Sequence, residues 1–108
     1  MENLIAAHFV QISETECEIM KEKNAKIAHC PLSNSYFADG MLPIGMVMKQ
    51  HKLSVGLGSD IAGGYAVSML EAMRHTVTTN RAQVEQFYRR DALRKKNHNI
   101  NASDANAS

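Results

Sequence analysis

Apolar residues fall into short runs separated by polar segments, and three of these runs have the length and flanks of buried strands. They occupy residues 4–8, 26–30 and 53–57, each bounded by polar or turn-forming residues. Between the first two strands, Ser13 and Glu16 have the spacing of a capping box, in which the side chain of each bonds the backbone of the other. This pattern predicts a helix that begins after Ser13 and ends near Asn24.

Two further helices are predicted from the remaining pattern. Pro43 suits the first turn of one helix, because its missing N–H needs no partner there. A longer helix follows the glycine-rich corner at 62–64, with apolar residues at helical spacing from Val67 to Val77. Residues 33–40 are predicted to form a polar loop. The resulting order of strand and helix, repeated three times, favours parallel strands joined by crossover helices.

The spacing of these units limits the fold. From His8 to His29 is 21 residues and from His29 to Asp60 is 31, whereas a (β/α)8 barrel uses roughly 30 residues per unit. We therefore predict an α/β fold that is a partial (β/α)8 barrel of about three consecutive units, although a small open doubly wound sheet also fits. Residues 1–96 are assigned to this partial barrel. Residues 97–108 are predicted to be a disordered tail, because they offer almost no large apolar side chains.

Charge and cysteine content exclude several classes of protein. The 108 residues carry a net charge of +1, which disfavours a general polyanion binder, and the basic segment 89–96 is more typical of a solvated helix end than of a nucleic-acid site. No apolar run approaches the ~20 residues of a membrane span, and the first residues lack the pattern of a secretory signal. Cys17 and Cys30 form neither a CxxC pair nor a disulfide framework. We expect a cytoplasmic protein without nucleic-acid or membrane partners.

Three ionisable side chains lie where a predicted strand meets the following loop, namely His8, His29 and Asp60. Because ligands of parallel α/β folds bind at the carboxyl ends of strands, we expect these residues on one rim of the sheet, with His8 and Asp60 facing a common hollow. Histidine and aspartate are also ligand types that suit zinc. The alternative is structural: two hydrogen-bonded histidines and a turn or helix-capping aspartate.

Three segments carry a resemblance to a known family. They are HCPLSN at 29–34, GLGSDIAGG at 56–64 and SMLEAMR at 68–74. In this order and at these distances, they resemble the amidohydrolase superfamily, in particular its zinc-dependent deaminases and chlorohydrolases. The continuation at 62–70, AGGY followed by SML, is most similar to the members that deaminate guanine. The resemblance covers roughly residues 4–80.

The resemblance implies a zinc hydrolase on a (β/α)8 barrel. In that family an HxH pair on the first strand, a histidine on the fifth and an aspartate on the eighth hold the metal. Asp60 matches the eighth-strand aspartate, which is both a ligand and a general base. His8 matches the sixth-strand histidine, which assists at the attacked water or the substrate. His29 falls on the seventh strand and matches no ligand, and Ser33 and Asn34 are expected to shape the loop.

The chain also departs from that pattern. It contains no HxH and no fifth-strand histidine, and it leaves the pattern after about residue 80. We expect it to be part of an enzyme that hydrolyses guanine to xanthine and ammonia with Zn²⁺, bearing an incomplete ligand set and inactive alone. The alternative is a non-catalytic fragment or pseudo-enzyme that associates with another barrel portion. Self-association is a further possibility, because three units leave two open sheet edges.

Overall fold

A computed structural model describes residues 3–37 and 40–107. Within these ranges, three parallel strands form one sheet in the order β1-β2-β3, so that each strand pairs with the next along the chain. Helices connect and follow the strands, as predicted. The elements are β1 (Ile5–Ala7), α1 (Glu14–Glu22), β2 (Lys26–His29), α2 (Pro31–Tyr36), a π-helix (Met46–Gln50), β3 (Val55–Leu57) and α3 (Met69–Asn106).

The register of the strands gives the sheet two different faces. Residues that pair across parallel strands point to the same side, and neighbours along a strand point to opposite sides. One face therefore carries Ala6, Ile27 and Val55, and the opposite face carries Ala7, Ala28 and Gly56. These two rows are called the covered face and the open face below.

The covered face packs against α1 and the π-helix to form the core. Ile27 lies at its centre, and Cys17 of α1 and Val47 of the π-helix pack in the same buried cluster. The capping box starts α1 as predicted: the Glu16 backbone N–H donates to Ser13 Oγ, and the Ser13 backbone N–H donates to Glu16 Oε2. Helices thus lie on the side of the sheet that forms the outer ring of a (β/α)8 barrel.

The open face has no helix against it within the described residues. Ala7, Lys26 and Gly56 are exposed, and the side chain of Ile5 is 66 % exposed. In a closed barrel this face lines the interior, where side chains from all strands fill the space. In the part of the chain that the structure describes, β1 and β3 also form the two edges of the sheet, and the outer side of each has no neighbouring strand.

The segment after β2 differs from the predicted loop. Residues 31–36 form α2, in which Pro31 occupies the first turn, and Ser33 and Asn34 are buried. The polar character of Ser33 and Asn34 suggested a loop, but in the structure both lie in the first turn of a short helix packed against α3. Residues 38–39 of the predicted loop lie outside the described residues. The helix after Pro43 begins at Ile44 and continues as the π-helix.

The long helix α3 begins at Met69, so Val67 precedes it. It is held to the body by few contacts: Ala72 is fully buried, His75 Nε2 lies 2.8 Å from Ser35 Oγ, and Gln83 Nε2 donates to the Met41 carbonyl at 2.8 Å. Among the helices of the described ranges, none is long and apolar enough to cross a membrane.

The predicted disordered tail also differs from the structure. Helix α3 continues through residues 97–106, all of which are exposed. Extending an existing helix fixes one residue for each hydrogen bond gained, so it avoids the cost of nucleation and needs no buried partner. The boundary at residue 97 therefore corresponds to no change in secondary structure.

Candidate active site

The three candidate residues lie at the carboxyl ends of the three strands, on the same end of the sheet. His8 follows β1 directly, His29 is the last residue of β2, and Asp60 follows β3 by three residues. The structure brings two of them together as predicted, with His8 Nε2 3.7 Å from Asp60 Oδ2. Their side chains are 42 % and 39 % exposed, so a small molecule can reach both.

The backbone turns sharply at both residues. His8 has φ 65° and Asp60 has φ 47°, in the left-handed region where histidine and aspartate are enriched among non-glycine residues. The His8 backbone N–H donates to the Ala28 carbonyl at 2.9 Å, which extends the pairing of β1 with β2 by one residue. The strand end therefore fixes the point from which the His8 side chain leaves.

A third side chain contacts His8 directly. Asn34 Oδ1 lies 2.8 Å from His8 Nδ1, and Asn34 is only 3 % exposed. Its backbone N–H donates to the Cys30 carbonyl at 3.0 Å, so the first turn of α2 holds it in place. Asn34 was expected only to shape the loop, because its contact with His8 depends on α2 and on the three-dimensional path of the chain.

Gly63 allows the backbone to approach the Asp60 carboxylate closely. A Cβ atom at Gly63 would lie 2.6 Å from Asp60 Oδ2 and 3.1 Å from Ser33 Oγ. A side chain there would displace the carboxylate, since no real Cβ atom sits this close to an oxygen. Glycine at 63 is therefore part of the geometry that sets Asp60 opposite His8.

His29 differs from His8 in being buried. Burial, and then the neighbouring charges of His75 and His8, lower the pKa of His29 to about 4. The ring is consequently neutral near pH 7, and within the described part of the chain its Nδ1 has no hydrogen-bond partner. Burial, followed by the Asp60 charge, raises the pKa of the Cys30 thiol, which disfavours the nucleophilic thiolate.

The side chains at this site supply fewer donors than a catalytic zinc ion needs. His8 and Asp60 supply two donors, but no group of three or more His, Cys, Asp or Glu side chains suited to a metal occurs in residues 3–37 and 40–107. Catalytic zinc takes about three protein ligands besides water. These residues therefore do not form a zinc site by themselves.

The sequence of the chain matches a family profile and several known proteins. The sequence profile described as "Amidohydrolase family" matches residues 1–105. Guanine deaminase of Mus musculus is 48 % identical over 73 residues, which are 68 % of this chain and 16 % of that protein. The chain thus spans about one sixth of the length of this relative.

Two solved structures share the fold. Guanine deaminase from C. acetobutylicum, with guanine bound in its active site, superposes with a TM-score of 0.72 at 28 % identity, covering 76 % of this chain and 19 % of that chain. An adenosine deaminase from Xanthomonas campestris with bound zinc has a TM-score of 0.70 at 25 % identity, again covering 76 % and 19 %. The predicted α/β class and partial barrel are confirmed by these neighbours. With the profile match over almost its whole length, the chain belongs to the amidohydrolase family.

Proposed function

We propose that the chain is part of a zinc-dependent amidohydrolase that converts guanine and water to xanthine and ammonia. The observation that carries the proposal is the pair His8 and Asp60, whose Nε2 and Oδ2 atoms lie 3.7 Å apart at the carboxyl edge of the sheet. Acid–base catalysis needs such groups within reach of one reacting centre. Similarity to guanine deaminases in both comparisons supports guanine as the substrate.

Each residue has a proposed role. Asp60 is the single metal ligand from this chain, and its carboxylate accepts a proton from the attacking water and returns it to the departing ammonia. His8 orients that water, or stabilises the oxygen that develops on the purine carbon. Zinc, when bound in a complete site, lowers the pKa of bound water towards ~7. The remaining ligands must come from outside these 108 residues.

A non-catalytic role is the second candidate. The open face and the two donors favour a chain that associates with another barrel portion without completing a metal site. Such a chain would bind its complement through the outer sides of β1 and β3, which have no neighbouring strand among residues 3–37 and 40–107.

A cytoplasmic location is proposed with either function. Cys17 and Cys30 are both free and buried, which agrees with a reducing compartment. An extracellular small domain would instead be expected to use its cysteines in disulfides.

A chimaera separates the two functions. The matching segment of the mouse guanine deaminase is replaced by that of this chain, and release of xanthine and ammonia from guanine is measured. We expect turnover, its loss in Asp60→Ala, and slower turnover with retained zinc in His8→Ala. His51→Gln, remote from the edge that carries His8 and Asp60, is the control. A folded chimaera that binds zinc but yields no ammonia would support the non-catalytic role.

A further inference from the structure

The position of one hydrogen atom decides what His8 can do. A neutral imidazole carries a hydrogen on only one of its two nitrogens, and the nitrogen without it accepts hydrogen bonds. The partner of one ring nitrogen therefore determines the chemistry of the other. For His8, Nε2 is the nitrogen that faces Asp60.

The partner of the other nitrogen is Asn34. Its Oδ1 lies 2.8 Å from His8 Nδ1, and an amide oxygen can only accept, so this orientation of the amide requires the hydrogen on Nδ1. In the same orientation, Asn34 Nδ2 is buried and has no hydrogen-bond partner within the described residues. Both ends of this contact are held by backbone hydrogen bonds, from the His8 N–H to the Ala28 carbonyl and from the Asn34 N–H to the Cys30 carbonyl. With Asn34 3 % exposed, water does not compete readily for its oxygen.

A hydrogen on Nδ1 leaves Nε2 of His8 with a free lone pair. The distance of 3.7 Å from Nε2 to Asp60 Oδ2 is beyond hydrogen-bond range, so these two atoms do not bond directly. We propose that Asn34 is a positioning residue that holds the hydrogen of His8 on Nδ1 and so leaves the Nε2 lone pair directed into the space shared with Asp60. There Nε2 accepts a hydrogen bond from the attacking water or from a substrate N–H.

The catalytic meaning of this tautomer rests on the proposed function, but the tautomer is a property of the chain itself. A purely structural Asn34 would stabilise α2 without any effect on the ring nitrogens of His8. If the amide were turned round, Nδ2 would donate to His8 Nδ1, and the hydrogen would sit on Nε2. The two arrangements predict opposite tautomers.

Nitrogen NMR of the 108-residue chain distinguishes them without metal or substrate. Two-bond proton–nitrogen correlations of the ¹⁵N-labelled histidine rings are recorded above pH 7.5, and the His8 signals are identified by their loss in His8→Gln. We expect the shifts of a protonated Nδ1 and an unprotonated Nε2. In Asn34→Leu, this preference is lost and His8 takes the mixture of tautomers seen in an unstructured peptide. In Asn34→Asp, which keeps an acceptor in place, Nδ1 keeps its hydrogen.

Ser35→Ala is the matched control. It lies next to Asn34 on α2 and removes the hydrogen bond to His75, so it changes the His75 signals but leaves those of His8 as they are. Backbone amide spectra of each variant establish that it is folded. A wild-type His8 with its hydrogen on Nε2, or an unchanged tautomer in folded Asn34→Leu, overturns the inference. Neither result depends on whether guanine is the substrate, which the chimaera tests separately.

Discussion

His29 couples protonation to folding at the scale of a single residue. Its pKa is about 4 in the folded chain, where burial disfavours the charged ring, and near 6.5 in an unfolded chain. Between these pH values the unfolded state binds more protons, so the free energy of unfolding falls as pH drops from about 6.5 to about 4. Above 6.5 this residue contributes no pH dependence.

We therefore expect His29→Gln to lose part of the acid sensitivity of the wild type. The effect is roughly 2–3 kcal/mol across that interval, since each unit of pKa difference corresponds to ~1.36 kcal/mol. Urea unfolding at pH 7.5 and pH 4.5 measures it. The exposed His98, changed to Gln, should leave the pH dependence of the wild type intact. Equal acid sensitivity in His29→Gln and the wild type would contradict the prediction.

Gly63 gives a second prediction at this scale. Gly63→Ala places a methyl group against Asp60 Oδ2 and pushes the carboxylate away from His8. In the chimaera we expect turnover to fall by ~10²-fold, as misplacement of about 1 Å at a catalytic group can produce. Gly45→Ala is the control, because it has helical φ and ψ and a Cβ atom there makes only an ordinary contact, 3.5 Å from Asn80 Oδ1. Equal turnover in the two variants would show that Asp60 tolerates the displacement.

The candidate site was predictable in part at the residue scale. His8 and Asp60 stand at strand ends, and parallel strands bring such ends to one edge, so their proximity follows from the pattern. The contact of Asn34 with His8 does not, because it depends on a helix of six residues whose polar side chains are buried. Local sequence preferences do not reveal which polar residues tertiary packing will bury.

Among the elements, α1 and α3 differ in how well the sequence specifies their ends. The capping box of Ser13 and Glu16 determines where α1 begins, and the structure confirms it. Helix α3 has no comparable signal at its end: it runs for 38 residues, and apolar residues at helical spacing along it, such as Leu70 and Met73, are 61 % and 53 % exposed. A pattern predicts an apolar face but not whether anything covers it.

The C-terminal part of α3 has no buried residue through which packing could stabilise it. None of residues 84–107 is buried, and isolated helices are marginal in water. We expect removal of residues 97–108 to change the free energy of unfolding by less than about 0.5 kcal/mol. Urea unfolding of chains 1–96 and 1–108 measures the change. Amide exchange offers a second measurement, and slow exchange across 97–106 would show that the helix end is stabilised after all.

At the scale of the whole molecule, the small number of metal-ligating side chains predicts weak metal binding. With His8 and Asp60 as the two donors, zinc stays largely hydrated and exchanges freely. We expect the purified chain, dialysed against metal-free buffer, to retain much less than one zinc per chain and to release no ammonia from guanine. Metal analysis and an ammonia assay measure this, with Asp60→Ala as the comparison. One tightly held zinc, absent from Asp60→Ala, would mean that self-association completes the site.

The length of α3 has a consequence for how this chain behaves in solution. The molecule measures 60 × 32 × 20 Å, and its radius of gyration is 17.8 Å, against about 13 Å for a compact chain of this length. An elongated particle experiences more friction than a sphere of the same mass. On gel filtration a monomer will therefore elute early, at the volume of a larger globular protein, and its retention alone would be mistaken for a dimer. Only a shape-independent mass, as from light scattering, distinguishes a projecting helix from a second subunit.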